Sequence, residues 1–152
     1  MLKSLLFVIA MAAAPLALAD APLAVSGGDF AAQRAQIEKG LGDGKSYSEM
    51  TRADRQDVRA SLDRMAALLD GGKTVDALTE QQKVDLFNEQ EVINTILTRA
   101  AADSRVVCTR VEKTGSHRKI SVCTTVADQN RRRQRDQDRL QNSQKVILRQ
   151  GD

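Results

Sequence analysis

The sequence predicts a mainly α-helical protein with one small β-hairpin. An antiparallel helical hairpin comes first, then a disulfide-closed two-stranded hairpin, then a basic C-terminal helix. Three observations lead there. Apolar residues recur at helical spacing between positions 51 and 102. Two β-branched runs, each carrying one of the two cysteines, flank a polar stretch centred on Gly115-Ser116. Gln129 to Arg149 is rich in arginine and uninterrupted by Gly or Pro. The chain accordingly divides into a signal peptide (1–19), a flexible leader (20–28), a helical region (29–104), the cysteine hairpin (105–126) and the basic helix (127–152).

The N-terminal division rests on three coincident features. Lys3 supplies a positive charge, Leu5 to Ala19 is uncharged and apolar, and Ala17-Leu18-Ala19 places small side chains at the −3 and −1 positions before Asp20. Together they form a secretory signal, with Pro15 breaking the apolar helix just upstream. An uncleaved anchor is the alternative, but a bilayer span needs roughly 20 apolar residues and this stretch is shorter. Lipid attachment at a processed cysteine is excluded because none lies near the junction. The expected address is the periplasm or the secreted space, with no transmembrane span once the signal is removed.

Of the 152 residues, 133 then remain, enough for one small domain. The mature chain holds Phe30, Phe87 and Tyr47 as its aromatics and no Trp. Its core must be assembled from Leu, Ile, Val, Met and Ala, and a crosslink would add usefully to stability. Charge is unevenly distributed. Residues 20–104 carry 10 basic and 15 acidic side chains, whereas residues 105–152 carry 12 and 5. A basic arm therefore follows an acidic body.

Taken in order, Pro22 and Gly27-Gly28 give the leader no periodicity. Asp29 to Leu41 is a weak helix with Phe30, Ile37 and Leu41 on one face and Arg34 interrupting it; Gly40, Gly42 and Gly44 stop it and form a flexible link. Thr51 and Asp54 make a capping pair for the next helix. Val58, Leu62, Met65 and Leu69 follow as its apolar stripe, and Asp70-Gly71-Gly72 ends it. Thr79 and Gln82 form a capping box opening a helix to about Ala102, with Leu86, Ile93, Leu97 and Ala100 on one face, widened by Ile96. The short connection predicts that these two helices pack antiparallel. Asn94 and Thr95, lying in an apolar run, read as a solvent-facing edge or a hydrogen-bonded packing contact.

Residues 105–126 carry the most informative pattern. A turn centred between Gly115 and Ser116 sets Cys108 opposite Cys123, Glu112 opposite Lys119, Val111 opposite Ile120 and Thr109 opposite Val122. One register aligns a crosslink, an ion pair and an apolar pair, and a one-residue slip would lose all three. Facing residues lie within reach of a disulfide, and an oxidising compartment favours the bond. Closing this loop stabilises by about 3 kcal/mol. The C-x-x-C spacing of a redox pair is absent. A metal site would need His117, which this register leaves at the turn; free thiols or an intermolecular bond are the remaining alternative. The face showing Val107, Val111, Ile120 and Val122 is expected to pack on the helices. The face showing Cys108, Cys123, Arg110, Ser121, Glu112 and Lys119 is expected to look outward.

This segment, with Asp103-Ser104-Arg105 before it and an arginine-rich helix after it, also resembles a motif of uncharacterised small exported proteins of Gram-negative bacteria. The shared pattern is V-C-x6-G-S-x5-V-C-x-T, here Val107-Cys108, Gly115-Ser116 and Val122-Cys123 through Thr125. The resemblance covers about 45 residues. It implies an exported compartment and a structural disulfide, and carries over no catalytic residue.

Thr125 and Asp128 cap the last helix, along which Arg131, Arg132, Arg133, Arg135 and Arg139 alternate with Asp136 and Asp138. Pairs such as Arg132 and Asp136 sit one turn apart. Apolar residues are scarce before Leu140, so the helix is expected to project or fray. With Arg110 and Arg118 of the hairpin, these arginines are the candidate partner-binding residues. An acidic exported protein or an anionic envelope polymer suits them; nucleic acid is not expected, because stacking aromatics are missing and the compartment is wrong. A wide apolar face for membrane insertion is lacking.

Catalysis has little to draw on. His117 is the single histidine, Ser116-His117 sits in a turn, and the carboxylate pairs Asp54/Asp57 and Glu89/Glu91 suit exposed helix faces. Phosphate loops and His/Cys metal clusters are lacking, and no cofactor is implied. The expectation is a non-catalytic binding or envelope-associated module, with an inhibitor or chaperone-like partner of another exported protein as the second reading and an enzyme as the third.

Overall fold

The computed structural model describes residues 22–26, 29–112, 114–115 and 118–150, with side chains to position 145. The signal-peptide expectation and the Ser116-His117 pair lie outside these residues. Among the described residues four helices, α1 (Phe30–Gly42), α2 (Arg52–Leu68), α3 (Glu80–Ser104) and α4 (Val126–Gln150), accompany a two-stranded sheet of β1 (Val106–Glu112) and β2 (Lys119–Thr125). Two short 3-10 turns, Asp70–Gly72 and Val75–Ala77, join α2 to α3. The structure is thus mainly helical with a disulfide-closed antiparallel hairpin and a C-terminal helix, as the sequence predicts.

The helix starts follow local chemistry. The Thr51 hydroxyl accepts from the Asp54 amide at 3.0 Å and donates to its carboxylate at 2.7 Å. Thr79 and Gln82 complete a reciprocal capping box at α3, each partner satisfying an amide that the helix cannot. Val58, Leu62 and Met65 of α2 are fully buried against Leu86 and Ile93 of α3, with Leu97 and Ala100 extending the seam. Each such side chain contributes about 1.5–3 kcal/mol through removal from water. Two ion pairs record the direction of packing: Asp54 meets Arg99 at 2.7 Å and Arg64 meets Glu89 at 2.5 Å. As one number rises by ten the other falls by ten, so the helices run antiparallel. The Arg64 guanidinium, aided by Ser61, holds the Glu89 carboxyl below its usual range.

Two expectations about irregular segments are corrected. The leader is not flexible between residues 22 and 26: Leu23 and Val25 are buried in the core. Three carboxamides hold its backbone. Asn94 accepts from the Leu23 amide at 2.8 Å and donates to the Leu23 carbonyl at 3.0 Å. Gln33 does the same for Ala24, at 2.8 and 3.0 Å, and Gln90 accepts from the Val25 amide at 2.9 Å. A carboxamide presents a donor and an acceptor in the geometry of a peptide, so these side chains replace a neighbouring strand. The expected packing role of Asn94 takes this specific form.

The glycine-rich link is likewise ordered. Gly40 and Gly42 lie within α1, and Tyr47 and Met50 beyond them are buried. A Cβ at Gly40 would meet the Tyr47 ring at 2.9 Å, so the missing side chain lets the ring lie on the helix. The Asp43 carboxylate fastens the turn by accepting from the amides of Lys45 and Ser46 at 2.7 and 2.9 Å. Arg55 donates to the Leu41 carbonyl at the end of α1, satisfying a group that the helix leaves open.

Candidate interaction surface

The hairpin adopts the expected register throughout. Val106 faces Thr125, Cys108 faces Cys123, Val111 faces Ile120 and Glu112 faces Lys119. Cys108 and Cys123 form the disulfide, with Cα atoms 4.0 Å apart, and Lys119 reaches the Glu112 carboxylate at 3.3 Å. Gly115, at the turn, has φ +80, a conformation that glycine adopts without a Cβ penalty.

The apolar face is not covered by the helices, contrary to expectation. Val111, Ile120 and Val122 are 40%, 47% and 37% exposed, and among that set Val107 at the base is half-buried. The reason is topological. β1 begins two residues after the last residue of α3, so the strands extend past the end of the helix against which they were expected to lie. The disulfide-bearing face is exposed as well, as expected.

A single acidic residue gathers the base of this arm. Glu49, on the link before α2, donates its backbone N–H to the buried Ser104 hydroxyl at 2.9 Å. Its carboxylate accepts from the Thr125 hydroxyl at 2.6 Å and from the Arg131 guanidinium at 2.7 Å. The hydrogen bond from Arg131, followed by that from Thr125, holds the Glu49 carboxyl below the ordinary glutamate range. Thr125 also accepts from the Asp128 amide at 3.1 Å, the expected cap of α4, and the Val126 amide donates to the Arg105 carbonyl at 2.9 Å. Strand, helix and body therefore meet at one point without an intervening loop.

From that anchored first turn α4 projects, with every side chain from Asn130 to Lys145 exposed. The structure sorts the candidate arginines into groups. Arg131 is committed to Glu49 and lies 3.7 Å from Asp128, so its first role is within the chain. Arg132 pairs with Asp128, one turn toward the N-terminus, at 2.9 Å rather than with Asp136. Arg133 donates to Asn130. Arg132, Arg135 and Arg139 recur at i, i+3 and i+7 and so form one stripe along the exposed helix. Arg110 lies on the exposed disulfide face of β1, and Arg118 immediately precedes β2. The seven do not converge on one pocket; they line a projecting arm.

Sequence reasoning missed Glu49. Its partner Arg131 is 82 positions away, and no spacing rule links them. At the other end of the body an open groove of about 820 Å³ is walled by Val25, Phe30, Leu69, Val75 and Phe87. Of its charged residues, Lys83 is paired with Glu80 at 2.8 Å and Asp29 caps α1. Among the described residues, no three of His, Cys, Asp and Glu gather as a metal site, and no helix is long and apolar enough to cross a membrane. No family model, curated protein or solved structure matches the chain.

Proposed function

We propose that this protein is an exported, non-catalytic binding module that engages an anionic partner through its basic arm. The observation that carries the reading is the stripe Arg132, Arg135 and Arg139 on a helix exposed from Asn130 to Lys145. Arginines held on a projecting helix offer planar donors to carboxylate, sulfate or phosphate groups. The acidic body beneath discourages the arm's target from spreading over the rest of the surface. Export is supported by the Ala17-Leu18-Ala19 signal and by the disulfide, a bond that persists in oxidising compartments. The likeness to small exported Gram-negative proteins agrees with that address.

Partners of this chemistry in such a compartment are an anionic envelope polymer or an acidic exported protein. Crosslinking in the periplasm of an expressing cell, followed by capture of this chain, separates them. Salt-sensitive recovery of phosphorylated polysaccharide, lost in the R135A/R139A variant, supports envelope binding. One stoichiometric protein in the crosslinked product supports the inhibitor or chaperone-like reading. Capture that is unaffected by the two substitutions and by salt overturns the role given to the arm. Recovery of the unprocessed chain in the cytoplasm overturns the export, and a processed N-terminus other than Asp20 overturns only cleavage after Ala19.

A further inference from the structure

Cys108 and Cys123 are joined to each other, yet both lie exposed on the hairpin. Cysteine is otherwise among the most buried of residue types, and exposed disulfides are the labile ones. Val106, two residues before Cys108 on the same face, is 59% exposed, so that face is open down to the base of the strand. On the other side the register sets Arg110 against Ser121, each two residues from a cysteine and on its face. Glu112, the next carboxylate along the face, is engaged by Lys119 at 3.3 Å. The Arg110 guanidinium is thus the charge that stands beside the sulfurs.

The bond also acts at a distance. The apolar face of the hairpin is uncovered beyond Val107, and an uncovered pair of strands is marginally stable by itself. The last residues of that ladder hold the start of α4. Thr125, paired with Val106, accepts from the Asp128 amide at 3.1 Å and donates to Glu49 at 2.6 Å. Thr124, paired with Val107, accepts from the Gln129 carboxamide at 3.1 Å. Beyond this turn α4 is exposed, and a helix without packing depends on its first turn being fixed.

We propose that the Cys108–Cys123 disulfide is a reversible thiol–disulfide exchange site, opened by a dithiol, and that its opening loosens the basic helix. One thiolate of the dithiol attacks an Sγ and forms a mixed disulfide as the S–S bond breaks. The other cysteine leaves as a thiolate beside Arg110, whose charge favours that form, and then takes a proton from water. The second thiol of the reductant, deprotonated, attacks the mixed disulfide and releases the remaining cysteine, which is protonated in turn. Two electrons and two protons have passed to the chain, and the reductant has become a disulfide. The chain is the substrate of this exchange and not its catalyst, in keeping with the lack of a C-x-x-C pair. The exchange stands on the exposed bond; its consequence for binding rests on the function proposed for the arm.

Dithiothreitol is the probe. The oxidised protein is treated at neutral pH, quenched by alkylation at intervals and measured by intact mass, in buffer and in guanidinium chloride. Native reduction is expected within about tenfold of the rate in denaturant, as for an open sulfur; a slower native rate overturns the exchange site. Arg110→Glu should slow the native reaction by about threefold and leave the rate in denaturant unchanged. An unaltered native rate overturns the part given to Arg110. With dithiothreitol kept present, amides 128–132 should exchange about tenfold faster than in the oxidised chain, whereas those of α3 keep their protection. Unchanged exchange at 128–132 overturns the link to the helix. Binding of polyphosphate separates this inference from the arm's function, and reduction should weaken it by about fivefold or more. Equal binding in both states ends the control and leaves the arm's function standing. If the oxidised chain binds no polyphosphate, the arm's function falls, while the mass and amide measurements still decide the exchange site.

Discussion

In the helical body Val58, Leu62, Met65, Leu86 and Ile93 are sealed from solvent, whereas in the arm every side chain of α4 from Asn130 to Lys145 is exposed. The body is held by apolar burial, a cooperative term spread over many residues. The arm has no core of its own. It keeps its shape through a covalent crosslink, a seven-residue ladder and a polar anchor at Glu49. Two regions of one small chain therefore respond to different perturbations. Reduction and acid act on the arm, and cavities act on the body.

The largest effect expected is in the body. Leu86→Ala removes a fully buried side chain and should cost about 2–5 kcal/mol in chemical denaturation followed by helical circular dichroism. Leu140→Ala, at a residue 65% exposed, should change the same stability by less than about 0.5 kcal/mol. Equal losses at the two sites would erase the distinction between body and arm.

Next comes the crosslink. Replacing Cys108 and Cys123 together by serine should weaken the hairpin by about 3 kcal/mol. Amide exchange in residues 106–125 should accelerate while α2 and α3 retain their protection. If α2 and α3 lose protection in parallel, the arm is part of the body's cooperative unit. The bond itself is checked by intact mass, which reduction followed by alkylation should raise.

The leader sharpens the comparison from the other side, since it is an irregular segment that the body has taken in. Asn94→Ala deletes both hydrogen bonds to Leu23 and leaves its amide and carbonyl without those partners. A loss of about 1–3 kcal/mol is expected, with proteolysis near residues 22–26 as the accompanying sign. An unchanged denaturation midpoint would mean that burial of Leu23 and Val25 alone holds the segment.

The smallest effect belongs to the anchor. Glu49 is depressed below the ordinary glutamate value, so its contribution is complete above that value, about 4.3. It is lost as pH falls through the lowered one. Arm docking should thus be constant at neutral pH and loosen only below about pH 4. Arg131 is half exposed, so solvent screening leaves the pair the weakest of these contributions. Glu49→Gln should abolish this pH dependence, measured by the distance between probes on α2 and α4. A pH response that survives the substitution would assign the anchor to another group.

Much of this architecture was legible along the chain. Thr51 with Asp54, Thr79 with Gln82 and Thr125 with Asp128 mark helix starts through bonds between residues three apart. The stripe from Val58 to Met65 faces the stripe from Leu86 to Leu97 because 3.6-residue periodicity leaves one apolar side to each helix. The hairpin register followed from one turn position and three coincident pairs. The candidate arginines were legible as a group but not by role. Arg131 differs from Arg135 in having Glu49 beside it, and that neighbour comes from the far end of the sequence.

What the sequence determined by itself was therefore whatever depends on neighbours a few residues apart: the helices and their caps, the strand pairing, and the position of Cys108 opposite Cys123. Tertiary structure alone decided the rest. It drew residues 22–26 into the core through Asn94, Gln33 and Gln90, laid Tyr47 over Gly40, tied the arm to Glu49, and left Val111, Ile120 and Val122 open to solvent. The physical reason is range. Capping and periodicity act within a turn or a strand pair, while the contacts of Leu23 with Asn94 and of Glu49 with Arg131 span 71 and 82 positions and exist only once the helices have packed.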